Sequence, residues 1–253
     1  MHSRVTEYRW VVGSALVLAI VLTQWPAIDL HVAALFAQND WQWLVDRDQA
    51  LIRWPYHTLP YLGRGLIIGL LLLWAGSFLH NGPWLRRRRM LFGFMLSAAL
   101  LGPVLIVDSG LKNHLGRARP AQVSVLGGTL QFSPAFVVSD QCARNCSFVS
   151  GHVATTAFIM VFGWLGKRRT RQYWLLASIG LAAYMAFVRM SSGGHFLSDC
   201  IFAWYASYLG LWLTEQAFLK RAWLSEAKRA FMHTVNLSRP GFFVPGRVDR
   251  RPA

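Results

Sequence analysis

The chain has 253 residues, of which 54% are hydrophobic and 14% aromatic, and its mean hydropathy is +0.33. This composition is too apolar for an ordinary soluble domain of this length. The formal net charge of +15 would point to nucleic acid on a soluble protein, but the basic residues fall mostly between apolar runs. Composition and charge together therefore exclude a soluble nucleic-acid-binding domain and favour a membrane protein.

Six apolar stretches come close to the roughly 20 residues that a helix needs to cross a bilayer. In chain order they cover residues 10–25, 61–79, 90–107, 151–166, 173–188 and 196–218. The fourth and fifth stretches are short and contain glycine, and short spans of this kind lean on neighbouring helices. The sequence thus predicts an all-α, polytopic bundle of six transmembrane helices, folded as a single membrane domain over residues 1–253.

Lysine and arginine residues indicate which side of the membrane each connection occupies. They are concentrated at the amino terminus, between the second and third stretches, between the fourth and fifth, and after the sixth. Because basic loops are retained in the cytoplasm, both termini are predicted to be cytoplasmic, with residues 219–253 as a basic tail. The long connections 26–60 and 108–150 then lie on the opposite face of the membrane.

The connection 26–60 mixes apolar residues with aspartates and carries three tryptophans, Trp41, Trp43 and Trp54. This composition is typical of an interfacial segment that lies on the outer leaflet. Two interpretations of it remain open. The segment gathers substrate, or it is a plain amphipathic connector between two spans.

Three clusters of charged and polar residues stand at the ends of predicted helices. They cover residues 112–120, 149–152 and 189–199, all on the predicted outer face. Charged residues at a membrane boundary are costly and usually have a function. We therefore expect the three clusters to come together in one site.

The residue types in these clusters favour phosphate as the ligand. The cations Lys112, Arg119 and Arg189 are expected to neutralise phosphate oxygens. Ser150 and Gly151 stand where a helix is predicted to begin, so its free backbone amides and the positive end of its dipole also face an anion. The sequence predicts that these five residues bind a phosphoryl group.

Two histidines and one carboxylate supply the expected catalytic groups. His195 and Asp199 are four residues apart, which places both on one face of the sixth helix. The carboxylate is expected to hold one ring nitrogen protonated, so that the other attacks phosphorus. His152, from another helix, is expected to protonate the leaving oxygen as a general acid. This chemistry requires no metal and no other cofactor.

The same residues resemble the three signature motifs of the type 2 phosphatidic acid phosphatase (PAP2) superfamily. Lys112 with Arg119-Pro120 matches K-x6-R-P, Ser150-Gly151-His152 matches the last three residues of P-S-G-H, and Arg189, His195 and Asp199 match R-x5-H-x3-D. The resemblance covers residues 61–208. It implies a six-helix membrane lipid phosphatase, which is a phosphoric ester hydrolase, with a phosphohistidine intermediate on His195.

Two positions depart from the family pattern, since Val149 replaces the usual Pro and Val188 replaces a Ser that is often found. Neither change removes a charged or proton-carrying group, so the expected activity stands. The phrase 145–152, with Cys142 just upstream, is similar to the bacterial lipid A phosphatase branch. That similarity implies lipid A as the first expected substrate, at the periplasmic face of a bacterial inner membrane.

Other substrates and activities remain open at this point. Undecaprenyl pyrophosphate, phosphatidylglycerophosphate and phosphatidic acid carry the same phosphoryl group, and a phosphotransferase would pass it to a second lipid instead of to water. A phospholipid transporter would use the cations for binding alone, which needs no oriented nucleophile such as His195 with Asp199. The expected partners are a phosphorylated lipid and the bilayer, without nucleic acid. The oligomeric state is left open.

The connection 108–150 also holds three residues with less definite roles. Cys142 and Cys146 are predicted to face an oxidising compartment, where they form either a disulfide that braces the approach to the site or two free thiols. Arg117 is interpreted as part of a solvated face, with a headgroup contact as the alternative.

Overall fold

The structure is a computed structural model that describes residues 2–38, 42–44, 50–79 and 82–220. Over these residues the chain is all-α and contains no strand. The helices are α1 (His2–Gln24), α2 (Ala27–Ala34), α3 (Ala50–Leu79), α4 (Pro83–His114), α5 (Gly151–Trp164), α6 (Arg168–Ser191) and α7 (Leu197–Lys220). From residue 221 onward the predicted basic tail lies outside the described residues, as do parts of the connection 26–60.

Four of these helices are long and apolar enough to cross a membrane. They are residues 4–24 of α1, residues 54–79 of α3, all of α4 and all of α6, which correspond to the first, second, third and fifth predicted stretches. The fourth stretch forms α5, a shorter apolar helix, and the sixth forms α7, which is 24 residues long. The described residues therefore confirm an all-α, multi-pass architecture with four candidate membrane spans.

The bundle is organised around its more deeply buried helices. In the apolar part of α4, half of the residues are buried. The corresponding share is 6% in α1 and 11% in α3. α4 packs against α7, where a Cβ on Gly210 would lie only 2.4 Å from the Cα of Gly102. Small residues at such a crossing let two membrane helices approach closely. α1 and α3 consequently turn most of their apolar surface outward.

Helix α4 is not a regular α-helix along its whole length. Residues Leu100–Leu111 form a π-helical segment, and Pro103 lies inside it. Proline has no backbone N–H and its ring clashes with the preceding turn, so the regular hydrogen-bond ladder is interrupted here. The wider winding changes the angular position of every residue beyond it, including Lys112 near the carboxyl end of the helix.

A buried polar network ties the amino-terminal helix to the bundle, at the end opposite the three sequence clusters. Glu215 of α7 pairs with Arg4 and accepts hydrogen bonds from Tyr8 at 2.5 Å and from the Trp164 indole at 2.9 Å. The Arg171 guanidinium lies 3.8 Å from the centre of the Trp164 ring. Buried charges are tolerated only with partners of this kind, so the network fixes a helix that buries little apolar surface of its own.

The described part of the connection 26–60 packs against the turn between α6 and α7. Gly193 in that turn has a φ of +65°, and a Cβ there would lie 2.3 Å from the Trp43 indole. Only glycine allows both the left-handed backbone and the close aromatic contact. This segment therefore covers the turn that carries His195, while its interfacial position stays a prediction.

Candidate active site

Antiparallel helices bring the three sequence clusters to one end of the bundle. Lys112 lies in the last turn of α4, Ser150 directly precedes α5, Arg189 lies in the last turn of α6, and His195 occupies the turn before α7. The elements meet closely, since a Cβ on Gly151 would lie 3.1 Å from Lys112 Nζ. The structure therefore gathers residues from four helix ends into one candidate site.

The connection 115–150 between α4 and α5 forms one side of this site. Gly116 has a φ of +62°, and a Cβ there would lie 1.7 Å from the carbonyl oxygen of Ser139, so only glycine fits. Cys142 and Cys146 are joined by a disulfide, with 5.6 Å between their Cα atoms. Of the two interpretations of these cysteines, the structure contains the bonded one.

The disulfide encloses Asn145, whose contacts link the loop to two cations. The Asn145 side-chain oxygen accepts a hydrogen bond from Lys112 Nζ at 3.1 Å, and its carbonyl oxygen accepts one from Arg119 Nη2 at 2.8 Å. Asn145 has a φ of +53°, a left-handed conformation that asparagine tolerates better than most residues. The disulfide loop therefore helps to set where Lys112 and Arg119 lie.

Hydrogen bonding fixes the tautomer of His195. The residue is 1% exposed, and its Nδ1 lies 2.7 Å from the carbonyl oxygen of Ser147. A carbonyl oxygen only accepts, so Nδ1 carries the proton and Nε2 keeps its lone pair. Burial, reinforced by the Arg189 cation and opposed by Asp199, lowers the pKa of His195 to about 3. His195 is therefore a neutral imidazole with one nitrogen available at physiological pH.

Asp199 supports His195 indirectly. Its nearest oxygen lies 3.6 Å from His195 Nδ1, beyond hydrogen-bond distance. That oxygen, Oδ2, accepts hydrogen bonds from Ser147 Oγ at 2.5 Å and from the Phe196 backbone N–H at 2.7 Å. Ser147 thus mediates between the two, with its side chain on Asp199 and its carbonyl on His195. Sequence reasoning missed Ser147 because a backbone oxygen leaves no signal in residue type.

Arg117 is buried, and its interpretation as part of a solvated face is wrong. Its side chain is 1% exposed and pairs with Asp199 Oδ1 at 2.5 Å and with Asp29 Oδ2 at 2.8 Å. Asp29 lies in α2 and is fully buried. One signal did exist in the sequence, because an aspartate within the apolar run 27–34 is costly unless a cation pairs with it.

Part of the hydrogen-bonding capacity of the site is unused. Among the residues that the structure describes, the buried side-chain atoms without a hydrogen-bond partner are Ser133 Oγ, Ser150 Oγ, Arg189 Nε and Arg189 Nη1. Buried donors normally find partners, and three of these four atoms belong to the predicted phosphate-binding residues. An anion in the site would satisfy them, together with backbone amides at the amino terminus of α5.

His152 lies beside Arg189 and against Tyr56, which comes from α3. The His152 and Tyr56 rings are stacked, with centroids 5.2 Å apart and planes inclined by 19°. The Arg189 guanidinium carbon lies 4.7 Å from the centroid of the same Tyr56 ring, and His152 Nε2 lies 3.2 Å from the Tyr56 carbonyl oxygen. No sequence motif marks Tyr56, which only the packing of α3 brings to the site.

The charge in the site comes mainly from arginine and lysine. Arg119 and Arg189 lie close enough to both His152 and His195 to act on them electrostatically, and Lys112 does so for His152. The described parts of the chain contain no group of three or more His, Cys, Asp or Glu side chains that could hold a metal ion. The arrangement is therefore one for holding an anion next to a neutral imidazole.

The fold and this arrangement together define a class of protein. Multi-pass apolar helices place the chain in a membrane, and a neutral buried histidine beside guanidinium donors is suited to accept a phosphoryl group. A membrane enzyme that transfers phosphoryl groups meets both conditions. Residues 89–223, more than half of the chain, match the PAP2 superfamily, and the chain belongs to this superfamily. It is accordingly a phosphoric ester hydrolase, a membrane lipid phosphatase.

Curated relatives extend the likeness beyond the family match. The chain is 29% identical over 192 residues to the lipid A 4'-phosphatase of Francisella tularensis subsp. novicida, covering 74% of this chain and 85% of that protein. It is 29% identical over 208 residues to the lipid A 4'-phosphatase of Rhizobium leguminosarum, with 75% and 87% covered. The lipid A 4'-phosphatase of Rhizobium etli is 32% identical over 163 residues, with 62% and 60% covered. No solved structure matches the chain significantly.

Proposed function

We propose that this chain removes the 4'-phosphate of lipid A through a phosphohistidine on His195. The observation that carries the proposal is the hydrogen bond from His195 Nδ1 to the Ser147 carbonyl, which leaves Nε2 free beside the unused donors of Arg189. The choice of lipid A is supported by three relatives that are named lipid A 4'-phosphatases.

The proposed setting is a bacterial inner membrane, with the site facing the periplasm. The two helices α5 and α7, added to the four candidate spans, give six crossings, and an even number puts both termini on one side. The basic residues assign that side to the cytoplasm. The site then opens toward the outer leaflet, where the acyl chains of a lipid can stay in the bilayer while its phosphate reaches the cations.

Substrate binding is proposed to use the cations and the unused donors. The phosphate lies between Arg189, Lys112 and Arg119, while Ser150 Oγ and the Gly151 amide donate to its oxygens. Arg189 contributes most, because two of its donor nitrogens, Nε and Nη1, are buried and have no hydrogen-bond partner among the described residues. These contacts recognise the phosphate and leave the sugar and acyl chains to other surfaces.

The chemical steps are proposed to shuttle one proton through His152. His195 Nε2 attacks phosphorus and the bond between phosphorus and the sugar oxygen breaks. His152, which takes up a proton when the anionic phosphate binds beside it, gives that proton to the oxygen. Nδ1 keeps its proton against the Ser147 carbonyl, so the phosphorylated ring is cationic. Water then attacks phosphorus, the P–N bond breaks, and His152 takes the proton of the water. Inorganic phosphate leaves and His195 returns to its neutral form.

A lipid panel tests this proposal. Detergent-purified wild-type protein and His195→Ala are incubated in EDTA with lipid A, undecaprenyl pyrophosphate, phosphatidylglycerophosphate or phosphatidic acid, while free phosphate and product mass are followed. We expect release of the 4'-phosphate of lipid A by the wild type only. Release from another lipid alone would refute the choice of substrate. Transfer to a lipid acceptor would replace hydrolysis with phosphotransfer, and binding without turnover would favour transport.

The disulfide is expected to lower KM. Replacing Cys142 and Cys146 with serine should raise KM about 2- to 10-fold with a smaller change in kcat. Without the disulfide, Asn145 and its two cations are ordered only when substrate binds, and this ordering reduces the binding free energy. Steady-state kinetics with and without dithiothreitol measure the effect. The reduced wild type should approach the double serine variant, and that variant, as the control, should not respond to the reductant. An unchanged KM in both proteins would contradict this prediction.

A further inference from the structure

We propose that Asp29 and Arg117 are positioning residues for catalysis, and that Asp29 keeps the buried charge around Asp199 negative while His195 is phosphorylated. The inference rests on the proposed phosphohistidine mechanism. It adds to that mechanism a carboxylate from α2, which precedes the residues of the family match.

Arg117 bridges the two carboxylates through its two terminal nitrogens, and its third nitrogen is also paired. Nε donates to the Ser133 carbonyl at 2.8 Å, Nη1 donates to Asp199 Oδ1 at 2.5 Å and to Ser198 Oγ at 2.8 Å, and Nη2 donates to Asp29 Oδ2 at 2.8 Å. A fork of donors in fixed geometry holds both acids in place, which the single point charge of a lysine would not do.

Asp29 is held as firmly from its own side. Its Oδ1 accepts the Ser198 backbone N–H at 2.9 Å, and its Oδ2 accepts the Ser198 hydroxyl at 2.5 Å besides Arg117. Ser198 directly precedes Asp199 in the first turn of α7. The α2 carboxylate therefore fixes the backbone that carries Asp199, as well as the arginine that faces it.

Aromatic rings shield Arg117 and its two carboxylates from water. The Arg117 guanidinium carbon lies 4.4 Å from the Phe196 ring centroid and 5.4 Å from that of Phe132, and the two rings meet edge to face. Arg117, Asp29 and Asp199 are each at most 1% exposed. In such a dry environment charges act on one another strongly.

An orientation chain follows from these contacts. Arg117 holds Asp199 Oδ1, Asp199 Oδ2 holds the Ser147 hydroxyl, and the Ser147 carbonyl holds His195 Nδ1. Loss of Arg117 would release the first link and leave two buried carboxylates without their shared cation. Both residues therefore act on His195 through Asp199 and Ser147, without touching the reacting atoms.

The charge balance gives Asp29 a role beyond packing. Arg117 alone would cancel the charge of Asp199, whereas two carboxylates around one guanidinium leave a single net negative charge next to His195. Phosphorylation of Nε2 makes the ring cationic, since Nδ1 keeps its proton. The negative charge that Asp29 restores then stabilises the phosphorylated ring relative to the neutral one.

Three variants separate charge from packing. The net charge is counted over residues 29, 117 and 199, and it is −1 in the wild type. Asp29→Asn keeps the shape and an acceptor for Ser198 but brings this net charge to zero. Arg117→Gln brings it to −2, and the double variant returns it to −1. We expect each single variant to lower kcat about 10- to 100-fold with little change in KM. The double variant should be more active than either single one. Asp140→Asn, an exposed carboxylate in the same connection, serves as the control and should match the wild type.

The assay measures kcat, KM and the unfolding temperature on gel-filtered protein, with lipid A and with para-nitrophenyl phosphate in parallel. A lower unfolding temperature with unchanged kcat for Asp29→Asn would overturn the inference, as would losses that simply multiply in the double variant. If the wild type hydrolyses only the soluble ester, the lipid A proposal fails while the charge comparison is still decided on that ester. A wild type inactive on both overturns both proposals.

Discussion

Replacing His195 with alanine is expected to lower kcat by about 10⁴-fold or more and to leave the protein folded. Within the described residues the imidazole makes one hydrogen bond, from Nδ1 to the Ser147 carbonyl. Its removal therefore disturbs the structure little but eliminates the nucleophile. The wild type should accumulate a labelled phosphoenzyme that is stable in alkali and lost in acid, as phosphohistidine is. The yield of this phosphoenzyme is measured by quenching a single turnover at high pH.

His114→Ala is the matched control for this experiment. His114 lies near the same end of the bundle, at the end of α4, but is exposed, and its ring faces the Gly110 carbonyl of its own helix. We expect near wild-type kcat from it.

Asp199→Asn should still form the phosphoenzyme, though much more slowly, because Ser147 loses the carboxylate that orients it. A phosphoenzyme of undiminished yield in His195→Ala would place the nucleophile elsewhere.

Arg189→Gln is expected to lower kcat/KM about 10²- to 10³-fold. Arg189 is 1% exposed, and its Nε and Nη1 have no hydrogen-bond partner among the residues that the structure describes, so the side chain has two buried donor nitrogens available for phosphate. Arg189→Lys should recover only part of the loss, because an ammonium group keeps the charge but cannot place its donors where the planar guanidinium does. Steady-state kinetics measure the loss of kcat/KM, and inhibition by inorganic phosphate measures how strongly the phosphate group itself is bound.

Gly194→Ala offers a second way to disturb the same guanidinium. A Cβ on Gly194 would lie 2.6 Å from Arg189 Nη2, so the methyl group should displace the donor without removing the charge. A fall in kcat/KM comparable with that of Arg189→Lys is expected. Arg144→Gln removes an exposed cation from the disulfide loop and should have little effect. Equal losses in Arg144→Gln and Arg189→Gln would show that only overall charge matters.

Hydropathy predicted the helices well where the apolar run was long. The first, second, third and fifth stretches became helices of membrane-spanning length. The π-helical segment Leu100–Leu111 was not predicted, since hydropathy records how apolar a run is and not how its backbone is wound. The short α5 was also predicted as a span, and that stays a prediction, since α5 is shorter than the four candidate spans. Most of its residues are buried among its neighbours, where protein contacts replace part of the lipid contact.

Residue type and spacing identified some residues of the candidate site and missed others. Lys112, His152, Arg189 and His195 were found because charged residues at helix ends are rare enough to be noticed. Ser147 was hidden because it acts through its carbonyl oxygen. Tyr56 was hidden because it comes from a segment without a motif and reaches the site only through packing. Asp29 left a signal as a carboxylate within an apolar run, but that signal does not identify its partner.

The sequence by itself determined the membrane class, most of the helices and the charged residues of the candidate site that stand in its motifs, because these follow from residue type and from spacing along one chain. Only the tertiary structure decided which ring nitrogen of His195 is free, since that depends on a carbonyl 48 residues away. It also decided that Arg117 is a buried bridge to Asp29, 88 residues away, and not a solvated side chain. Burial and pairing are properties of elements brought together in space, and local sequence does not encode which distant partner a charge will meet.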